Sequence, residues 1–187
     1  MTFDLFDAPV LPGLRTRLDI VNAVEERSLI DHIEATDLAP FRFQGWIGKR
    51  VTTSFGFSYD FEAGRPMEAP PIPDWLAPFR NRAAVFTGLD PTDLIQALLI
   101  RYDPGAGIGW HRDRPIYEHV VGISLGAPAT MRFRQRRGEV FARTSIPLEP
   151  RGAYHLSGPS RHEWEHSIVE GDEPRWSVTF RSLACRK

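Results

Sequence analysis

Cysteine is almost missing from this sequence. The one that occurs, Cys185, lies in the tail, so neither an internal disulfide nor a thiolate-built metal cluster can form. Lysine is nearly absent too. Lys49 and Lys187 stand against 21 arginines, a bias that suits bidentate recognition of carboxylate or phosphate and that genome composition also produces. No apolar run reaches the ~20 residues that a membrane-crossing helix needs, and there is no repeat or low-complexity tract. Neither sign of charge is in excess: the net value of −1 argues against a strong non-specific polyanion binder and leaves room for a local basic patch. The opening MTFDLFDAPVLPG has no basic stretch and two early aspartates, so no secretory or transit segment is expected and a reducing cytoplasm is the expected setting.

What is present suits a single domain, expected over residues 1–187 and monomeric. A chain of this size buries roughly 70 % of its unfolded surface, and 42 % apolar with 25 % charged residues is ordinary for a soluble fold. Residues 20–36 carry Val21, Val24, Leu29, Ile30 and Ile33 near helical spacing. PDWLAPFRNRAAVF predicts a second helix with Asp74 as its cap. Between them VTTSFGFSYDF looks like a strand, and the prolines of EAGRPMEAPPIPDW, residues 62 to 75, predict an extended connection. After Leu94 the texture changes to short β-branched and aromatic segments divided by Gly and Pro: LIQALLIRY, HVVGISLG, TMRFRQ, EVFARTSIPL, GAYHLSG, EHSIVEG and RWSVTFRSL. About eight strands at this spacing predict an α+β, mainly β fold. The expected architecture is a double-stranded β-helix (jelly roll) over about 94–183, with the helices and a hairpin of residues 20–90 packed on one face.

The chemistry gathers in RYDPGAGIGWHRD, residues 101 to 113. In a strand, positions i and i+2 share a face, so His111 and Asp113 converge while Arg112 points away. With His166 farther on, two imidazoles and a carboxylate make up the donor set of a facial triad for non-haem Fe(II); six histidines in the chain also produce such a set by chance. The HRD string imitates a protein-kinase catalytic loop, but no Asn follows at the required offset and no Gly-rich loop with a strand lysine precedes it. Gly105, Gly107 and Gly109 lead into a metal-type histidine rather than a helix, which favours a turn of positive φ over a phosphate cradle.

RWSVTFR alternates Arg175, Ser177, Thr179 and Arg181 with Trp176, Val178 and Phe180. One face of this strand is cationic and the other is bulky and apolar. Two orientations remain open from the strand alone: the aromatic face inside with the arginines in water, or the aromatic face in solvent with the arginines buried, which requires an anion to neutralise them. Beside a metal triad, two inward forks fit a diacid such as 2-oxoglutarate.

Four ordered blocks resemble the AlkB-like Fe(II)/2-oxoglutarate dioxygenases across residues 96–183: RYDPGAGIGWHRD, ISLGAPATMRF, SGPSRHEWEH and RWSVTFR, with weaker similarity in RVTTSFGFSYDF. The resemblance implies Fe(II) held by His111, Asp113 and His166, with 2-oxoglutarate and O2 as co-substrates. It implies that Arg175, helped by the Tyr102 hydroxyl, holds the distal carboxylate of 2-oxoglutarate, that Ser177 takes part in co-substrate hydrogen bonding, and that Arg181 sits by the iron-binding end. By the same carry-over Ser160 and Arg161 lie at the substrate-side mouth and Phe57 on a lid hairpin. Three positions depart from the family pattern: Ile100 and Ser177 replace residues that are commonly Asn, the serine also being seen in the tRNA-modifying branch, and Pro115 stands where the best-known DNA-repair members carry an acid that reads the base.

The expected reaction is hydroxylation of a C–H bond; on an N-methyl group the product releases formaldehyde. Both ligand imidazoles must be neutral, so iron affinity is expected to fall as pH drops toward about 6. The expected partner is alkylated single-stranded DNA or RNA, its base flipped and stacked on an aromatic for which Phe57, Trp46 and Trp110 are candidates. MRFRQRRGEVFAR, with Arg132, Arg134, Arg136, Arg137 and Arg143, is either a phosphate-tracking edge or a solvated hairpin. Two alternatives stand beside this reading: the same chemistry on a protein side chain or small molecule, and a hydrolytic or non-catalytic metal-binding jelly roll.

Overall fold

Segments too short to bury themselves alone are stacked here in three layers. The computed structural model describes residues 10–43, 46–60, 65–67 and 69–184, so Cys185, Lys187 and the side chain of Trp46 lie outside the description. In chain order the elements are β1 (Leu14–Arg17), α1 (Ala23–Glu34), β2 (Ala39–Phe43), β3 (Trp46–Phe55), β4 (Ser58–Asp60), β5 (Arg65–Met67), α2 (Ala77–Thr87), β6 (Leu94–Tyr102), β7 (Ile108–His111), β8 (Tyr117–Gly126), β9 (Ala129–Arg137), β10 (Val140–Leu148), β11 (Ala153–Leu156), α3 (Gly158–His162), β12 (Glu165–Ile168) and β13 (Arg175–Leu183). A seven-stranded sheet runs β1-β11-β8-β13-β6-β3-β2 and a four-stranded sheet β10-β9-β12-β7, with β4 and β5 forming a separate hairpin. Every pairing is antiparallel.

One apolar cluster fills the space between the sheets, with Ile100, Tyr102, Val120, Met131, Phe133, Ile146 and Ile168 among its members. A second seals the other face of the large sheet under the helices, where Leu29, Ile33, Leu76, Phe79 and Phe86 meet Leu99, Ile123, Val178 and Phe180. This is the expected jelly roll with helices on one face. Among the described residues no helix is long and apolar enough to cross a membrane.

The predicted helix over 20–36 is shorter, because the Asn22 side chain accepts from the backbone N–H groups of Val24 and Glu25 while Glu25 reaches back to Asn22, a reciprocal cap. Val24 is consequently exposed at 66 % rather than part of the buried stripe. In the second helix Asp74 is not the cap. A 3-10 turn over Asp74–Leu76 feeds the chain into α2 already in helical conformation, so no extended capping residue precedes it. Glu25 and Arg82 tie the two helices together at 2.5 Å. The strand expected across 51–61 breaks at Gly56 and Phe57 into β3 and β4, and the connection over 62–75 contains β5. β1 and β2 were not expected as strands; they form the two edges of the large sheet.

On the helix-facing side of the large sheet, His119 Nδ1 and His155 Nε2 lie 3.0 Å apart, and His155 meets the edge of Phe86. Burial first, then His119 and Arg15, lower the His155 pKa to about 4. An unfolded histidine titrates near 6.5, so the unfolded chain binds the proton that the folded one refuses. Stability from this group is complete above pH 6.5 and is lost as pH falls toward 4. Replacing it, His155→Gln, is expected to flatten the loss of stability measured by urea unfolding across that window by up to roughly 1.4 kcal/mol per pH unit.

Candidate metal and co-substrate site

His111 closes β7 and His166 lies in β12. Antiparallel pairing sets the two directly opposite each other, with ring centroids 4.3 Å apart and planes inclined at 58°. β7 ends at His111, so Asp113 stands just beyond the strand rather than in it; it still turns to the same side while Arg112 is exposed. One ligand atom from each of His111, Asp113 and His166 lies within 4.8 Å of the others, and His166 Nε2 is 3.5 Å from Asp113 Oδ2. Gly105 supplies the expected positive φ of +77° in the preceding turn. Gly107 serves a different need: a Cβ there would sit 2.7 Å from the Ile168 carbonyl oxygen, so its lack of a side chain lets β7 approach the end of β12.

His111 Nδ1 lies 2.9 Å from the Gly109 carbonyl oxygen. A carbonyl only accepts, so Nδ1 carries the hydrogen and Nε2 keeps its lone pair for a metal. Burial alone would raise the Asp113 carboxyl, but Arg181, His166, His111 and Arg161 together hold it well below the usual carboxylate range. His166 is pushed down to about 3, by burial first and then by His111. Acid near pH 6 therefore leaves His166 neutral. Two imidazoles and an ionised carboxylate on one side of a point fit a hard-to-borderline divalent cation such as Fe(II).

Arg175 and Arg181 share the face of β13 that lines the space between the sheets, as the alternation predicted. The orientation problem has a third solution, however. The aromatic face is neither solvated nor turned to the barrel interior; Val178 and Phe180 are 0 % exposed beneath α1 and α2. The two forks also differ. They are six residues apart, roughly 20 Å along the strand, and Arg181 is already engaged, donating to Asp113 Oδ1 at 2.8 Å and to Gln96 Oε1 at 3.0 Å. A diacid is therefore not gripped by two equivalent arginines. Arg175 is the open one: it is 4 % exposed, its Nε donates to Ser124 Oγ at 3.1 Å, its guanidinium lies 4.7 Å from the Tyr102 ring centroid, and both terminal nitrogens are buried without a hydrogen-bond partner among the described residues. A buried cation with two orphaned donors is the counterpart of a planar carboxylate. Ser177 is buried opposite Ser124 and Ile100 in the same layer.

The substrate-side residues are placed less uniformly. Phe57, half-buried, meets the edge of Tyr117 at 6.1 Å, and Tyr117 in turn lies under Arg181 at 5.1 Å. Ser160 is 0 % exposed and its hydroxyl donates to the Ser157 carbonyl, closing the turn at α3. Arg161 is 2 % exposed, and its guanidinium donates to the backbone carbonyls of Arg114 and Tyr117, bracing the loop that carries Asp113. Trp110 stands on the outer face of the small sheet under Arg132 and Arg134. Sequence reading missed Gln96 and Ser124. Both are polar residues at inward positions of otherwise apolar strands, and that placement was the available signal.

A family model for the 2OG-Fe(II) oxygenase superfamily matches residues 20–181. Among curated proteins the chain is 28 % identical over 163 residues to the tRNA (carboxymethyluridine(34)-5-O)-methyltransferase alkbh8 of Xenopus tropicalis, covering 84 % of this chain and 25 % of that protein. It is 26 % identical over 166 residues to the ALKBH8 of Macaca fascicularis, covering 84 % and 24 %. It thus spans about a quarter of these two relatives. It is also 24 % identical to the uncharacterized protein L905 of Acanthamoeba polyphaga mimivirus, covering 99 % of this chain and 91 % of that one. The fold superimposes on OsALKBH1 with a TM-score of 0.73 at 16 % identity, over 94 % of this chain and 99 % of that one. On a Pseudomonas putida prolyl-4-hydroxylase the score is 0.62 at 14 % identity, over 92 % and 93 %. With the family model reaching from the first helix to Arg181 and the His111, Asp113 and His166 donors converged, the chain belongs to the 2OG-Fe(II) oxygenase superfamily and resembles its AlkB-like members.

Proposed function

We propose that this dioxygenase oxidatively demethylates alkylated bases in single-stranded DNA or RNA, in a reducing cytoplasm. The observation that carries the chemistry is the buried Arg175 guanidinium, whose free donors sit in the same inter-sheet layer as the metal triad. In this reading His111, Asp113 and His166 hold Fe(II), and Arg175 with Tyr102 takes the distal carboxylate of 2-oxoglutarate. Arg181 keeps Asp113 ionised and oriented at the metal end. When bound, Fe(II) with 2-oxoglutarate and O2 supplies the oxidant that hydroxylates a C–H bond as 2-oxoglutarate becomes succinate and CO2. The protein's own share is position, charge and exclusion of water. Phe57 presents a ring on which an extruded base stacks. The nucleic-acid assignment draws support from the names of the relatives, one a tRNA methyltransferase and one an ALKBH protein.

A second reading is favoured by two observations: Pro115 replaces a base-reading acid, and the fold also matches a prolyl-4-hydroxylase. Here the same machinery hydroxylates a protein side chain or small molecule.

Anaerobic addition of 2-oxoglutarate to the Fe(II) protein is expected to produce a visible charge-transfer band. Arg175→Met should raise the 2-oxoglutarate concentration needed for half of that band at least tenfold, about 1.4 kcal/mol or more, while Fe(II) binding persists. Formaldehyde should appear from methylated single-stranded oligonucleotides only with 2-oxoglutarate present, and not with His111→Ala. Succinate formation stimulated by a peptide or metabolite and indifferent to oligonucleotides would establish the second reading instead.

A further inference from the structure

Among the described residues, the outer face of the small sheet carries more cationic than anionic charge. β9 turns Arg132, Arg134 and Arg136 outward while Met131 and Phe133 point into the core. The register of β9 with β10 puts Arg143 directly opposite Arg134, and Phe141 opposite Arg136. Like charges set directly across a sheet repel. One carboxylate relieves them: Glu165 on β12 meets Arg134 Nε at 2.5 Å. Over residues 129–148 the hairpin has five arginines and one acid, Glu139, in a chain whose net charge is −1.

Aromatic rings hold these guanidiniums in place. Arg132 and Arg134 lie 5.1 and 4.5 Å from the Trp110 ring centroid, and Arg134, Arg136 and Arg143 lie 4.9, 5.9 and 5.6 Å from that of Phe141. Stacking on a ring fixes a guanidinium and leaves its N–H edge free for an anion. Alternate residues of a strand repeat every ~6.6 Å, a spacing commensurate with successive phosphates of an extended single strand. The ladder starts at Trp110 on β7, the neighbour of the metal-side His111, and its other members lie on β9 and β10. Regularly spaced cations interleaved with aromatics are the chemistry of single-stranded nucleic-acid tracks.

We infer that this Trp110–Phe141 arginine ladder is an extended binding track for the phosphate backbone of single-stranded nucleic acid, holding the strand outside the catalytic cavity; the inference rests on the demethylase reading and assigns that substrate a second point of contact.

Binding of a short fluorescent oligothymidylate, followed by anisotropy against salt, tests it. The Arg136→Ala/Arg143→Ala protein, checked for an unchanged melting temperature, should bind about tenfold or more weakly, and the slope of log affinity against log salt should shrink by roughly 0.7 for each lost phosphate contact. Phe141→Leu, which keeps the charge and removes the ring, should weaken binding less and leave the slope unchanged. Equal affinity and slope in wild type and the double variant would overturn the track, as would displacement of the oligonucleotide by oligoglutamate at matched charge, which would mark the face as a site for acidic peptide. The two proposals separate cleanly. Weakened binding in the double variant with no formaldehyde from any methylated oligonucleotide sustains the track and removes the demethylase; formaldehyde release with unaltered binding does the reverse.

Discussion

Taking a charge into a β-barrel is costly unless it is paired, and beside the metal triad the pair that meets this constraint is Arg181 and Asp113 at 2.8 Å. Each side chain is largely withdrawn from water, 15 % and 7 % exposed. Burial opposes both charges, and each keeps the other charged. The consequence reaches the imidazoles. An ionised Asp113 with a neutral His166, and with His111 oriented by the Gly109 carbonyl, is a donor set suited to a divalent cation.

The three-layer arrangement explains how one nine-residue strand sustains this. β13 is central in the large sheet, flanked by β6 and β8. Its arginine face looks into the space between the sheets and its Val178 and Phe180 face is covered by helices. Because both faces are packed, the backbone that carries Arg175 and Arg181 is held from either side, and the two guanidiniums are delivered at fixed depth. Antiparallel pairing of β7 with β12 does the same for the histidines, which come from sequence positions 55 residues apart and become direct cross-strand neighbours.

Much of this was legible in the chain. Period-two alternation in RWSVTFR identified the cationic face, the i, i+2 spacing identified Asp113 as the companion of His111, and β6 and β13 have the bounds that their β-branched runs predict. What could not be read depended on partners remote in sequence. Nothing within β13 says that α1 and α2 cover its aromatic face. Arg181 and Arg175 look equivalent in the sequence, and only folding gives the first an aspartate and leaves the second with unpartnered donors. Ser160 and Arg161 stand side by side in the sequence, and only folding sends one to the nearby Ser157 carbonyl and the other to the remote carbonyls of Arg114 and Tyr117. Asp74 has the chemistry of a cap without its geometry, since the residues after it already turn.

Gln96 holds one end of its amide on the Phe57 carbonyl at 2.8 Å and the other on the guanidinium of Arg181, which in turn grips Asp113. An amide bonded at both ends transmits displacement. The side chains of Gln96 and Arg181 thus connect the Phe57 carbonyl to the Asp113 carboxylate with no intervening backbone, so the position of the Phe57 segment and that of an acid of the triad are set by one chain of hydrogen bonds.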